Sequence, residues 1–391
     1  MSIVADKEVT SATEILFRDK RQVAPLSLVT LNGAQELGGK VYNYLEKWWT
    51  NTCSAGEYSA VEAGCPRFAS GDGKGIIKKS VRGDDVYILV DVGNYSIDYP
   101  LFGGRNHMSP DDHYQDLKRV IQAVSGKAHR LNVIMPLLYG GRQHRRNYRE
   151  SLDCAAALQE LEAMGVENII TFDAHDARVA NAIPLMGFDN IVPSYQVLKA
   201  LFKRIPDLKV SKDTFMIVSP DEGAINRNMY YASVLAVDLG MFYKRRDYSI
   251  IENGRNPIVA HEYLGNSVKG KDVFISDDII SSGESMLDIA YELKKRGANR
   301  ILSYATYPLF TGGLKKFDDA KEEGIIDYVF GTNLTYRTPE LLKRDWYVDV
   351  DISKYIAYLI SALNFDVSTG KIIDPKVKVK TLLDKYGVNQ K

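Results

Sequence analysis

The stretch that decides the fold is FISDDIISSGESMLDIA, residues 274–290. A β-branched run leads into Asp277-Asp278, a turn of Ser281, Ser282 and Gly283 follows, and a helical pattern begins near Glu284. Leu287, Ala290 and Leu293 fall on one face of that helix, and Gly297 supplies its stop. Successive backbone N–H groups at such a turn and helix start form a nest for a phosphate group. The hydroxyls of Ser281, Ser282 and Ser285 can add hydrogen bonds. Asp277 and Asp278 would repel a phosphate, so they suit the vicinal hydroxyls of a ribose whose 5-phosphate sits in the nest. The same residues also suit a plain strand–turn–helix junction with an acidic cap.

Working outward, the pattern repeats. Short apolar runs at Val86–Asp91, Asn132–Leu138, Asn168–Asp173, Phe215–Ser219, Asp272–Ser276 and Arg300–Tyr304 read as strands. Helical patterns at Asp112–Val124, Tyr148–Met164 and Glu284–Arg296 alternate with them. Such alternation predicts an α/β fold with mostly parallel sheets flanked by helices. VRGDDVYILVD (81–91) resembles VKGKDVFISDD (268–278), and LEAMGVENIITF (161–172) loosely echoes LKKRGANRILSY (293–304). The two pairs are spaced differently, which excludes a rigid tandem repeat and leaves either two related domains with rearranged elements or chance similarity. Segments 50–66, 93–110 and 365–391 read as loops or peripheral additions.

Composition sets limits. The 391 residues correspond to between two and three domains at ~150 residues each. Fifty basic and fifty acidic residues cancel, which argues against a nucleic-acid or acidic-membrane binder but not against a local anion site. An apolar fraction of 45% can bury a sizeable core. Cys53, Cys65 and Cys154 form no C-x-x-C pair, so a zinc ribbon or disulfide framework is unsupported; a Cys53–Cys65 bridge stays open in an oxidising setting. The amino-terminal residues lack a signal-peptide core, and no window holds about 18 apolar residues, so a cytoplasmic protein without a membrane span is expected.

Four further segments carry chemistry. NVIMPLLYGGRQHRRNY (132–148) runs from a strand into Arg142, Gln143, His144, Arg145 and Arg146, where ligands of open α/β sheets collect. Guanidinium forks there suit phosphate oxygens or a base, and equally a solvated basic turn. In NIITFDAHDARVAN (168–181), His175 follows a strand beside Asp173 and Asp176. FMIVSPDEGAINR (215–227) sets Asp221 in a Pro/Gly turn, fitting either Mg²⁺ or a turn cap. GMFYKRRDY (240–248) opens a polar stretch to about Val268, with Lys244, Arg245 and Arg246 able to close on a transferring phosphoryl group or to face solvent.

Taken in order from about Arg67 to Leu359, these segments resemble the ribose-phosphate pyrophosphokinase family. The resemblance implies two phosphoribosyltransferase-like domains, here 1–193 and 194–364, followed by a tail at 365–391. It also implies Mg²⁺-dependent transfer of the diphosphoryl group of ATP to the C1 hydroxyl of ribose 5-phosphate, with release of AMP. DDIISSGES matches the ribose-5-phosphate loop and nominates Asp277, Asp278, Ser281, Ser282, Gly283, Glu284 and Ser285. RQHRR matches an ATP-contacting R-Q-D-R-K, giving Arg142, Gln143 and His144. DAHD matches D-L-H-A, making His175 a metal and catalytic residue, and SPDEGAINR matches S-P-D-x-G-G-x-x-R, making Asp221 a ligand to metal or ribose. KRR matches the start of the catalytic loop, so Lys244 and Arg246 would stabilise the transition state. RFASGDG (67–73) looks like R-F-S-D-G-E, a loop that reaches a neighbouring subunit's adenine pocket. That match nominates Phe68, Ser70 and Asp72, and with them self-association into dimers or a hexamer-like ring.

The sequence also departs from the family. Its sugar loop normally reads D-D-x-I-D-T-G-G-T, whereas Ser281 stands for the third Asp and Glu284 for a Gly. His144 replaces an Asp, and Ala224 the second Gly after Asp221. These changes keep two other readings open: a diphosphokinase acting on another ribosyl 5-phosphate compound such as ADP-ribose, or a catalytically silent regulatory homologue. A phosphoribosyltransferase would share the sugar loop but leave RQHRR and KRR without a task.

Overall fold

A computed structural model of the chain describes residues 21–52, 57–246 and 258–388. The chain divides into two units. One takes it up to Val192 together with Leu334–Tyr336 and Ile352–Asp374; the other comprises Pro193–Asn333, Arg337–Asp351 and the residues from Pro375 onward.

The first unit contains β1 (Leu26–Thr30), α1 (Gln35–Thr52), β2 (Tyr58–Val61), the short pair β3 (Ala63–Gly64) and β4 (Ile76–Ile77), β5 (Asp85–Leu89), β6 (Asp98–Leu101) and β7 (Gly104–His107). It continues with α2 (Pro110–Val124), β8 (Arg130–Ile134), α3 (Asp153–Ala163), β9 (Asn168–Phe172) and β10 (Gly187–Ile191). Six strands form a sheet of order β10-β9-β8-β5-β1-β2, parallel throughout. All five residues of β5 are buried, as a parallel sheet covered on both faces demands. Val86, Ile88, Val133 and Ile169 pack with Leu117, Val120 and Leu158 of the helices. α2 begins two residues earlier than the apolar spacing indicates, because Ser109 and Asp112 form a reciprocal capping box and Pro110 occupies the first turn.

In the second unit lie α4 (Ser194–Arg204), β11 (Phe215–Ser219), α5 (Ile225–Leu235), β12 (Asp238–Arg246), β13 (Ile258–Leu264), β14 (Asp272–Ile280), α6 (Glu284–Lys295) and β15 (Ile301–Pro308). After them come α7 (Lys315–Glu322), β16 (Tyr328–Thr332), α8 (Pro339–Leu342) and β17 (Tyr347–Val350). The sheet order is β13-β12-β11-β14-β15-β16-β17, parallel except for the β12–β13 pair. Beyond β17, α9 (Ser353–Asn364) and α10 (Gly370–Ile373) belong to the first unit and α11 (Lys376–Lys385) to the second.

Leaving β13 aside, the two sheets share one winding: β1, β2, β5, β8 correspond to β11, β12, β14, β15. The similar segments 81–91 and 268–278 therefore run into equivalent strands, β5 and β14. Asp85 accepts from Arg130 at 2.7 Å, and its counterpart Asp272 accepts from Arg300 at the same distance. The looser echo does not align in this way: 161–172 enters β9, whereas 293–304 enters β15. The first similarity thus marks related domains, and the second is the chance resemblance of two helix-to-strand passages.

Several boundaries move for identifiable reasons. The strand expected over Asn132–Leu138 pairs only to Ile134, ahead of Pro136, which lacks a ladder N–H. The helix expected from Tyr148 begins at Asp153; Tyr148 itself has φ 58°. Within 50–66, Tyr58–Val61 is an edge strand paired with β1, disguised by burying only Val61. Segment 93–110 holds the hairpin β6–β7, turned by Phe102 and Gly103 at φ 46° and 79°. In 365–391, α11 buries Val379, Leu382 and Leu383, and Tyr386 stacks on Phe202 at 4.9 Å. Cys53 lies outside the described residues, while Cys65 and Cys154 are free thiols, pushed up by burial to about 12 and about 11. Among the described residues no helix is long and apolar enough to cross a membrane.

One buried network stands at the amino ends of β5 and β8. The fully buried Asp85 carboxylate accepts from Tyr87 Oη, Arg130, Asn132 and, at 2.9 Å, Asn364 Nδ2 of α9. Asn364 also donates to the Ala24 carbonyl at 3.0 Å. Asn364→Ala is expected to cost about 1–3 kcal/mol in urea denaturation, since it strips donors from buried acceptors. Turnover should be little changed, because the network lies opposite the carboxyl ends of the strands.

Candidate active site

In the second unit the strand order reverses between β11 and β14, and ligands of open α/β sheets bind outside the carboxyl ends of strands at such a point. Three nominated segments meet there. After β11, the Asp221 carboxylate accepts from the Ala224 N–H at 3.2 Å and closes the turn, while Ser219 Oγ donates to the Asp221 carbonyl at 2.8 Å. Asn228, buried on α5, ties this turn to β14: its Nδ2 donates to the carbonyls of Ala224 and Ser276 at 2.9 and 2.8 Å. Its Oδ1 accepts from the Ser276 N–H at 3.2 Å.

β14 extends four residues past its expected end, so Asp277 and Asp278 lie on the strand rather than beyond it. Pairing with β15, which continues to Ile280↔Pro308, holds them there. Burial, and then the neighbouring charge of Asp278, push the Asp277 carboxyl well above the usual carboxylate range. Arg227 Nη1 stands 3.8 Å from Asp277 Oδ1 and works in the opposite direction. Arg227 closes the SPDEGAINR motif, but its facing carboxylate is fifty positions away in sequence and no local pattern pairs them.

The turn after β14 is built on Gly283, at φ 84°. A β-carbon there would come within 2.3 Å of Phe317, so the left-handed backbone and the close ring both require glycine. Ser281 is fixed through its carbonyl, which accepts from the Thr311 N–H at 2.9 Å. Ser281 and Ser282 remain half-exposed, and Glu284 and Ser285 open the helix at the surface. Lys316 donates to the Glu284 carboxylate and holds its pKa below the ordinary value. The added negative charge is thus paired sideways with a lysine.

Lys244 and Arg246, expected to open a loop, are instead residues of β12. β12 pairs with β11 only up to Ser219↔Met241 and then runs on with β13 alone, Lys244 opposite His261 and Arg246 opposite Ile258. Their backbone therefore passes beyond the carboxyl end of β11, where Asp221 lies. Residues 247–257 of the expected loop lie outside the described residues.

In the first unit, Arg142–Arg146 follow β8 and His175 follows the adjacent β9. Gln143 braces its own loop, Nε2 donating to the carbonyls of Arg145 and Ser151 at 3.1 and 2.9 Å. His144 Nε2 stands 3.5 Å from Asp176 Oδ2, and its ring lies 5.3 Å from that of His175. Hydrogen bonds from Arg178 hold the Asp176 carboxyl far below its ordinary range. Ahead of His175, Asp173 adopts φ 45°, a strained conformation for a non-glycine residue that turns the chain out of the sheet.

Phe68, Ser70 and Asp72 sit on a loop closed upon itself. The Phe68 N–H donates to the Asp72 carbonyl at 2.7 Å, and Ser70 Oγ donates to the Asp72 carboxylate at 2.8 Å. Arg67, bidentate to Asp116 at 2.6 and 3.0 Å, anchors the loop to α2 and leaves Phe68 56% exposed. The first unit has its own switch point between β1 and β5. There Asp91, the counterpart of Asp278, accepts from Thr335 Oγ1 at 3.1 Å and the Tyr336 N–H at 2.9 Å.

Among the described residues no three His, Cys, Asp or Glu side chains come together to hold a metal by themselves. Mg²⁺ does not need such a cluster, because it takes one or two carboxylates and completes its shell with phosphate oxygens and water. Asp221, half-exposed at the switch point, fits that manner of binding.

Two doubly wound units, one with a carboxylate pair and a Ser/Gly turn at its switch point, define a protein of the phosphoribosyltransferase type. Family models agree: one described as the N-terminal domain of ribose phosphate pyrophosphokinase matches residues 26–165, and a phosphoribosyl transferase domain matches 188–331. The chain belongs to the ribose-phosphate pyrophosphokinase family. It is 29% identical over 266 residues to a ribose-phosphate pyrophosphokinase of Ralstonia nicotianae, covering 66% of this chain and 75% of that one. With the Shewanella oneidensis ribose-phosphate pyrophosphokinase it shares 27% over 307 residues, covering 77% and 87%. The crystal structure of phosphoribosylpyrophosphate synthetase from Mycobacterium smegmatis has the same fold, with a TM-score of 0.70 at 20% identity over 87% of this chain and 98% of that one. The matched region begins at β1, well ahead of Arg67, where the motif resemblance starts.

Proposed function

We propose that the chain transfers the β,γ-diphosphoryl group of ATP to the C1 hydroxyl of ribose 5-phosphate, giving phosphoribosyl pyrophosphate and AMP. The observation that carries this reading is the convergence of Asp221, Asp277, Asp278 and the Ser281–Ser285 turn at the switch point of the second unit. In this reading the Ser281, Ser282, Gly283 and Ser285 turn takes the 5-phosphate, and Asp277 and Asp278 accept from the ribose hydroxyls. The C1 hydroxyl oxygen attacks the β-phosphorus and loses its proton to solvent, the bond from that phosphorus to the α,β-bridging oxygen breaks, and AMP leaves with that oxygen. Such transfers depend chiefly on positioning and charge stabilisation.

Arg142, Gln143 and His144 contact ATP, and Lys244 and Arg246 neutralise charge on the transferring group. Asp221 in the second unit and His175 in the first are each a candidate ligand of Mg²⁺, which when bound would shield the phosphate charge. The exposed Phe68, on a loop held rigid by Arg67 and Asp116, suits an adenine pocket of a second copy in a dimer or hexamer-like ring.

One observation favours a second reading. Ser281 offers a hydroxyl and Glu284 a carboxylate in the turn that would take the 5-phosphate, which suits a ribosyl compound whose 5-phosphate is esterified and less charged, such as ADP-ribose. Incubation of the full chain with Mg-ATP and ribose 5-phosphate, ADP-ribose or no sugar, followed by AMP quantification and product identification, decides between them. AMP release that requires ribose 5-phosphate is the expected result. Release with ADP-ribose alone would support the second reading, release without sugar would overturn both, and none at all would indicate a silent regulatory homologue.

A further inference from the structure

His144 and Asp176 are two departures from the family pattern that fall together in space. The motif R-Q-D-R-K has a carboxylate where this chain has His144, and D-L-H-A has an alanine where it has Asp176. The two side chains meet at 3.5 Å, each only 14% exposed, across the carboxyl ends of adjacent strands β8 and β9. Either change alone would be costly. An imidazole at 144 without Asp176 would lose its charged partner, while an aspartate at 144 opposite Asp176 would bring two carboxylates together. The ring is held from two sides, by the Asp176 carboxylate at Nε2 and by the His175 ring at 5.3 Å. Its Nδ1 is buried and has no hydrogen-bond partner among the described residues, so the second nitrogen adds nothing to the hold. Asp176 in turn is fixed by the N–H of Arg178 at 2.9 Å and by the Arg178 guanidinium.

We propose that Asp176 is a positioning residue that holds His144 in the ATP-contacting loop after β8. The proposal rests on the reading of Arg142–His144 as that loop. An aspartate at 144 is therefore acceptable only if the charge at 176 is removed.

The test is a double-mutant cycle on the full chain with His144→Asp, Asp176→Asn and H144D/D176N. Asparagine keeps the size of Asp176 and its oxygen acceptor for the Arg178 N–H, so the short turn after it stays capped. Binding of Mg-ATP is read by calorimetry, kcat and KM by AMP release, and folding by thermal melting. Each single change is expected to weaken ATP binding about 5- to 10-fold, with kcat altered less than about threefold. The double variant should return to within about threefold of the parent, because residues in contact couple. Losses that simply multiply in the double variant would overturn the proposal, as would single changes that lower the melting temperature without moving ATP affinity. Calorimetry separates this outcome from failure of the functional reading. A chain that binds Mg-ATP but releases no AMP still tests the pair, whereas one that binds no ATP refutes both.

Discussion

Lys244→Ala is expected to lower turnover about 10²- to 10³-fold while the KM for ATP changes less than about threefold. The split follows from where β12 goes. Its pairing with β11 ends at Met241, and at roughly 3.3 Å per residue its backbone reaches Lys244 about 10 Å beyond that point. The Lys244 backbone thus lies past the strand that delivers Asp221, on a ribbon that among the described residues pairs with β13. In the proposed reaction Lys244 acts on charge that develops during transfer, so removing it is expected to cost rate more than ground-state affinity. Single-turnover measurement of AMP formation checks the expectation, with Arg246→Ala as a parallel case. A KM that rises while kcat holds would move Lys244 to ordinary ATP binding, and unchanged kinetics would remove it from the site.

The parts of this architecture that could be read from sequence are those governed by local physics. β5, β9 and β11 are apolar runs whose ends fall within two residues of expectation, and β14 begins where its apolar run does although it continues four residues further. The 81–91 and 268–278 similarity, which by itself is equally compatible with chance, falls on equivalent strands, and both segments carry the buried Asp that pairs with the following Arg. Features that depend on partners distant in sequence were not legible. β2 looks like a loop because it is an edge strand, and nothing near Asn364 indicates that it completes the hydrogen bonding of Asp85. Position 284 is similar: the lysine that pairs with its carboxylate, Lys316, comes thirty-two residues later. The nominated site residues are brought together in two groups, Asp221 with the β14 loop in the second unit and His144 with His175 in the first. Phe68, Ser70 and Asp72 instead form a separate closed loop.

The second large effect is expected at Asp277, where function and stability should oppose each other. Burial and the adjacent Asp278 raise this carboxyl in the folded chain, so the folded state binds its proton more tightly than the unfolded state does. A raised carboxyl contributes stability that is present at low pH and lost as pH rises through the folded value. Above that raised value the ionised Asp277 therefore weakens the ligand-free protein, with Arg227 at 3.8 Å offsetting part of the repulsion. Asp277→Asn removes that charge. The variant is expected to melt about 2–4 °C above the parent at pH 8, with the gap shrinking toward pH 5. Turnover should fall about 100-fold, because an amide accepts poorly from ribose hydroxyls compared with a carboxylate. Ribose 5-phosphate with Mg²⁺ should raise the parent's melting temperature more than the variant's, since ligand binding stabilises only the state that binds it. A variant that melts lower than the parent at every pH would show that Asp277 holds the fold together. A gap that ignores both pH and ligand would show that the gain has nothing to do with its charge.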